Sequence, residues 1–159
     1  MEDKINYFEK DHAIKEHDKI INISGGLHGI KDVGMLESML EFIQNDLYYP
    51  SFLDKLNQLV GRTARFHIFM DGNKRTSIVL GAYFLKINGF TSDVIDYFIV
   101  EMENIIVLLV DRALTEEDFY DLLGLIISGA PYPESMQLVL YNAYTTFAEN
   151  EKVRGEHKG

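Results

Sequence analysis

The chain contains no cysteine and no tryptophan, and only three prolines in 159 residues. Without cysteine there can be no disulfides and no thiolate metal sites, which fits a reducing, cytoplasmic setting. Basic residues are scarce as well: 15 Lys and Arg face 25 Asp and Glu, for a net charge of −10. That balance argues against a nucleic-acid partner, because gripping a phosphate backbone needs a basic surface that releases counterions, and no basic run compensates. Long apolar runs are missing too. The longest, IIVLLV at 105–110, falls far short of the roughly 20 residues that span a bilayer, so no membrane partner is expected. The opening MEDKINYFEKDH has none of the apolar core of a secretory signal.

What is present is 47% apolar, enough for one sizeable core, and its period is helical almost throughout. Leu36, Met39, Leu40 and Ile43 share one helix face, as do Leu56, Leu59, Val60 and Thr63, and again Phe98, Met102, Ile105, Ile106 and Leu109. Thr115 is placed to cap a further helix, with Asp118 three residues on and a buried stripe of Phe119, Leu122, Leu123 and Ile126. The stretch SIVLGAYFLKIN at 77–88 is apolar nearly all round, which predicts a buried central helix ending at Asn88-Gly89. The expected architecture is an all-α bundle around that helix, with at most a small flap or hairpin.

Two stretches interrupt the helices. SGGLHGIKDVG at 24–34 holds Gly25, Gly26, Leu27, His28, Gly29 and Ile30 and predicts an irregular loop or flap before a helix at 35–45. SGAPYPE at 128–134 is a break before a last helical segment from about Pro133 to Ala148, lined by Met136, Leu140, Tyr144 and Phe147. That segment could pack on its own core, on a second copy in a homo-oligomer, or across an active site. The polar tail from Asn150 is expected to fray. The division is thus 1–130 as the domain and 131–159 as a helical extension and tail.

The densest chemistry lies in HIFMDGNKRTS at 67–77, at the start of the buried helix. Free backbone amides and the positive dipole end at a helix N-terminus favour an anion. Gly72 permits a tight turn and close approach of a ligand. Lys74 and Arg75 add positive charge suited to phosphate oxygens. An acid, Asp71, is out of place beside an anion unless it holds a divalent cation that bridges carboxylate and phosphates. His67 is the residue type best suited to take a proton near neutral pH. A base, a magnesium ligand and a phosphate cradle together predict phosphate-group chemistry on a hydroxyl. Taken singly, each has a plainer reading: a structural His at a helix end, a solvated turn with a capping Asp, or a His–Asp pair with too few ligands for a metal. The spacing is not that of a Walker A loop.

The stretch resembles the core motif of the Fic/Doc (Fido) family, H-x-F-x-[D/E]-[A/G]-N-[G/K]-R, matched by His67, Phe69, Asp71, Gly72, Asn73, Lys74 and Arg75. SGGLHGIKDVGMLESML resembles the family's flap and the helix after it, LVGRTARFHIF its approach to the motif, and YFLKINGF its exit, so the likeness covers roughly residues 6 to 128. The resemblance implies that His67 is the general base for a Ser, Thr or Tyr hydroxyl of a target protein. It implies that Phe69 anchors the loop, that Asp71 sits at the Mg2+ site, and that Gly72, Asn73, Lys74 and Arg75 hold the phosphates of ATP. The glycine-rich flap would clamp a target segment by main-chain pairing. Arg65 is a second candidate phosphate contact, or else a solvated helix arginine.

Relatives that transfer AMP carry Gly at the motif's eighth position and a second Arg at the twelfth; here those positions hold Lys74 and Ile78. That pattern resembles the Doc-like branch, toxins of toxin–antitoxin pairs that pass the γ-phosphate of ATP to a threonine of translation elongation factor Tu. Gly72, where Doc-like sequences commonly have Ala, keeps AMP transfer open, and a non-catalytic binding module is a third reading that intact His67 and Asp71 oppose. TTFAEN at 145–150 matches the family's inhibitory pattern through Thr145, Glu149 and Asn150, supplied in relatives in cis or by an antitoxin. The inhibitory Glu pairs with the second motif Arg, which Ile78 replaces, so a packing or oligomer-forming helix is the preferred expectation.

Overall fold

A computed structural model describes residues 4–158, and they form a bundle of seven helices. In chain order these are α1 (Lys10–Ser24), α2 (Val33–Phe42), α3 (Phe52–Arg65), α4 (Asn73–Ile87), α5 (Ser92–Val110), α6 (Glu116–Ser128) and α7 (Glu134–Lys158). Helix α4 is the centre of the bundle, packed on α1, α3 and α5. The periodic stripes read from the sequence on α2, α3, α5 and α6 are all buried, each large apolar side chain contributing on the order of 1.5–3 kcal/mol.

Capping fixes where the helices start. The Thr115 hydroxyl accepts the Asp118 amide at 3.1 Å, as its spacing predicts. Ser51 and Asp54 form a reciprocal capping box at the start of α3, and the Tyr120 hydroxyl from α6 donates to the same Asp54 at 2.8 Å. Gly81 sets the closeness of the centre: a Cβ there would lie 2.7 Å from both Val60 on α3 and Phe98 on α5. Beside it, Phe84 stacks on Phe52 at 4.8 Å. Lys55 is a fully buried charge whose ammonium donates to the Ile43 carbonyl and to Asp46, both at 2.8 Å, tying down the α2–α3 turn.

The expected small flap is present and forms no separate hairpin: among the described residues the β-structure is a single antiparallel bridge between Ile30 and Phe69, joining the flap to the loop before α4. The last helix does not end near Ala148 but runs to Lys158. Its continuation is anchored from outside: Asn150 donates to Asp111 at 2.8 Å and Arg154 pairs with the same carboxylate at 2.7 Å. Ala143 is buried, and Met136, Leu140 and Phe147 pack against the core, whereas Tyr144, expected on the same side, stays 43% exposed. Among the described residues no helix is long and apolar enough to cross a membrane.

Candidate active site

Between α3 and α4 the chain makes two abrupt turns. His67 takes a left-handed backbone (φ 50°) immediately after Phe66 closes α3, and Gly72 takes another (φ 74°) as the residue before α4. Between these turns Ile68 and Phe69 drop into the core, with Phe69 only 1% exposed. The loop is braced from three directions. The Asn73 side chain accepts from the Phe69 amide and donates to the Phe69 carbonyl, both at 3.0 Å. From the flap, the amides of Lys31 (2.8 Å) and Asp32 (3.1 Å) donate to the Ile68 carbonyl, while the Met70 amide donates to the Gly29 carbonyl at 3.0 Å. On the remaining side lies His17 of α1, 1% exposed, its ring stacked on Phe69 at 4.1 Å and its Nε2 at 2.6 Å from the Asp71 carbonyl.

The braced loop leaves a polar edge open. A cleft of about 280 Å³ is lined by His67, Asp71, Gly72, Asn73, Lys74 and Arg75, with Val110 of α5 opposite. It adjoins a larger one of about 640 Å³ lined by Arg65, Phe66, His67 and the 109–116 segment. His67 and Val110 belong to both, so these two residues stand at their junction. Lys74 and Arg75 are exposed on the first turn of α4, where the amides have no intrahelical acceptor. Phe69 engages the Asn73 side-chain amide at both ends, which fixes its orientation and leaves it one further N–H for a ligand.

Asp71 lines this cleft, and its carboxylate is held by backbone amides. Oδ2 accepts the Leu27 amide of the flap at 3.2 Å, and Oδ1 accepts the Gly72 amide at 2.8 Å. Those two bonds, Leu27 first, hold the carboxyl below the usual carboxylate range; Arg75 adds to the effect and partial desolvation opposes it. A carboxylate has about four lone-pair directions, so these bonds leave capacity for a cation. The donor set suits magnesium, which takes one or two protein carboxylates and completes its shell with phosphate oxygens and water. No group of three or more His, Asp or Glu able to hold a metal exists among the described residues.

The other residues singled out from the sequence fall in distinct places. In the flap, Gly25, Gly26 and Gly29 all have positive φ (81°, 117° and 114°). A Cβ on Gly26 would sit 2.5 Å from Asp71 Oδ2, so only glycine fits there. Leu27 is exposed, His28 Nδ1 lies 3.7 Å from Asp18 Oδ1, and Ile30 makes the bridge to Phe69. Arg65 lines the larger cleft, its guanidinium paired with Glu116 and its Nε–H donating to the Gly61 carbonyl at 3.2 Å. Ile78 is turned inward and 8% exposed. None of the residues lining either cleft belongs to α7: Thr145 bonds the Tyr141 carbonyl of its own helix, Glu149 is exposed, and Asn150 is held by Asp111. Sequence reasoning missed His17 and Ile21. Their only signal was a polar residue interrupting an Ala13–His17–Ile21 stripe at helical spacing, which does not say what the imidazole meets.

Residues 7–85 match the sequence pattern of the Fic/DOC family. Protein kinase doc of Escherichia phage P1 is 35% identical over 89 residues, an alignment that takes in 54% of this chain and 70% of the relative. Toxin Doc of Mycolicibacterium smegmatis is 38% identical over 69 residues, covering 41% of this chain and about half, 53%, of that protein.

Proposed function

Because the chain belongs to the Fic/DOC family, we propose that it is a Doc-like toxin that transfers phosphate from ATP to a Ser or Thr hydroxyl of a target protein. Elongation factor Tu is the candidate target, a cognate antitoxin the candidate partner, and the cytoplasm the site of action. The transferase domain is assigned to 1–130 and the accessory helix to 131–159.

In this reading His67 is the general base. As the target oxygen bonds to the γ-phosphorus, His67 takes the hydroxyl proton, the bond from phosphorus to the bridging β-oxygen breaks, and ADP leaves with those electrons. Asp71 holds magnesium, which when bound draws charge from the phosphate oxygens. The amides of Asn73, Lys74 and Arg75 and the side chains of Lys74 and Arg75 bind the phosphates, Gly72 letting them approach the backbone. Arg65 steadies the larger cleft through Glu116 and becomes a phosphate contact only if that pair opens. The flap residues Gly25–Ile30 receive the target segment.

The observation that carries the choice of phosphate over AMP is the pairing of an exposed Lys74 with an inward-turned Ile78 on one helix. A second cationic clamp is absent from that turn of α4, and a bulky cation stands where AMP-transferring relatives have glycine. AMP transfer is the second reading, favoured by Gly72. The deciding experiment incubates the purified protein with magnesium and cell extract, once with α-labelled and once with γ-labelled ATP, with His67→Ala as control. Label from γ alone supports phosphate transfer; label from α means AMP transfer. Magnesium-dependent ATP binding with no transfer to any target favours a binding module.

A further inference from the structure

His17 lies fifty residues before the motif and takes no part in the chemistry above. We propose that His17 is the positioning residue of the catalytic loop, its Nε2–H holding the Asp71 carbonyl so that the Asp71 carboxylate meets magnesium–ATP in one orientation. The inference rests on the reading that the cleft beside Asp71 binds magnesium–ATP.

The geometry allows one assignment of the ring. A carbonyl only accepts, so at 2.6 Å from the Asp71 oxygen Nε2 must carry the hydrogen. Nδ1 is 3.8 Å from Asp18 Oδ1, too far for a hydrogen bond. The imidazole is therefore an amphipathic wedge, one face stacked nearly parallel (9°) on Phe69 and one edge donating to Asp71. It also lies under the turn, since a Cβ on Gly72 would stand 3.8 Å from Nε2. One helical turn on, Ile21 fills the space beneath both loops: a Cβ on Gly26 or on Gly72 would meet its Cδ1 at 3.2 or 3.1 Å. A leucine at position 17 would fill the volume but leave the Asp71 carbonyl without its donor. That carbonyl is the only backbone group of Asp71 pinned by an element outside the loop and the flap. The carboxylate's own bonds run to the Leu27 amide of the flap and the Gly72 amide of its own loop.

The test separates the donor from the ring. His17→Phe keeps a flat ring against Phe69 and removes the N–H; His17→Gln keeps an N–H and removes the ring. Magnesium-dependent ATP binding is measured by calorimetry before any target is added, and transfer afterwards, both well below each variant's melting temperature. In His17→Phe, binding of magnesium–ATP or kcat should fall roughly 10- to 100-fold, the size seen when outer supports of metal ligands are removed. ATP binding without magnesium should be unchanged, hydrogen exchange of 67–75 faster, and that of 92–110 unaltered. His17→Gln should recover most of the loss even if it melts lower. Magnesium–ATP binding and transfer equal to the unmodified protein in His17→Phe overturns the proposal, as does a loss that follows melting temperature instead of the donor. If His17→Phe does not fold, His17→Gln decides: binding near that of the unmodified protein supports the proposal, and a loss as deep as in Asp71→Ala overturns it. A protein that binds magnesium–ATP but transfers nothing overturns the proposed reaction while the binding arm still judges His17; one that binds no magnesium–ATP overturns both.

Discussion

Two short stretches of this chain resemble family patterns, the first inside the matched residues 7–85 and the second outside them, and they fare differently in the folded protein. HIFMDGNKR, at 67–75, is mostly not helical. Two left-handed residues, His67 and Gly72, fold it back on itself, so that an imidazole, a carboxylate and two cations border one cleft. TTFAEN, at 145–150, lies on a continuous helix. Its Thr145 is used by its own helix, Asn150 by Asp111 of the neighbouring segment, and Glu149 faces outward. Irregular backbone gathers residues from different directions to a point, whereas a regular helix can only present them along its faces. The first stretch gathers its polar residues at one cleft because its loop is braced by Asn73, by the flap and by His17. The second is a side of a packing helix.

The largest test of that contrast is His67→Ala. Removing a general base should lower transfer by about 10²- to 10⁴-fold while magnesium-dependent ATP binding stays intact, measured by labelled transfer and calorimetry. Equal rates in both proteins would mean that His67 is not the base. Next is the brace itself. Phe69→Ala removes a fully buried ring stacked on His17 while leaving the backbone groups that Asn73 holds. A loss of roughly 3–5 kcal/mol is expected, read from urea unfolding; a cost under about 1 kcal/mol would be that of a loop resting on the surface.

A smaller effect sharpens the view of α4 as the fixed platform. Gly81→Ala places a methyl 2.7 Å from Val60 and Phe98. The strain of overpacking, about 1–3 kcal/mol, should outweigh the better helix propensity of alanine, and a melting temperature that rises would show that α3 and α5 can give way. On the other stretch the effects are local and depend on pH. Burial pushes the Asp111 carboxyl up, but the hydrogen bonds from Asn150 and Arg154 outweigh it and hold the group below its usual range. A lowered folded pKa contributes stability that is full above the unfolded value, about 3.9, and is lost as pH falls through the folded one. Amides of the 145–155 segment should therefore lose protection in acid below that range before the bundle opens, and Asp111→Asn should abolish the pH step. Protection independent of pH would rule out the Asp111 anchor. The smallest expected effect is none: Glu149→Ala should leave the transfer rate unaltered. A rate that rises instead would make α7 an inhibitory arm and erase the contrast between the two stretches.

The sequence by itself determined the helical stripes, the Thr115 cap, the buried course of 77–88 and the residues that meet at the cleft. These follow from local rules: a 3.6-residue period, the hydrogen-bonding needs of a helix start, and residue types fixed by spacing within one motif. Tertiary structure alone decided what those rules do not carry. It joined Ile30 to Phe69 across the space between flap and loop, paired Arg65 with Glu116, and committed both ends of the Asn73 side chain to Phe69. It prolonged α7 to Lys158 through Asp111, a residue some forty positions earlier that no local pattern connects to Asn150 and Arg154. Above all it brought His17 under Asp71. A histidine on an apolar stripe announces burial, but its hydrogen-bond partner lies 54 residues away, and that distance is closed only when α1 packs against α4.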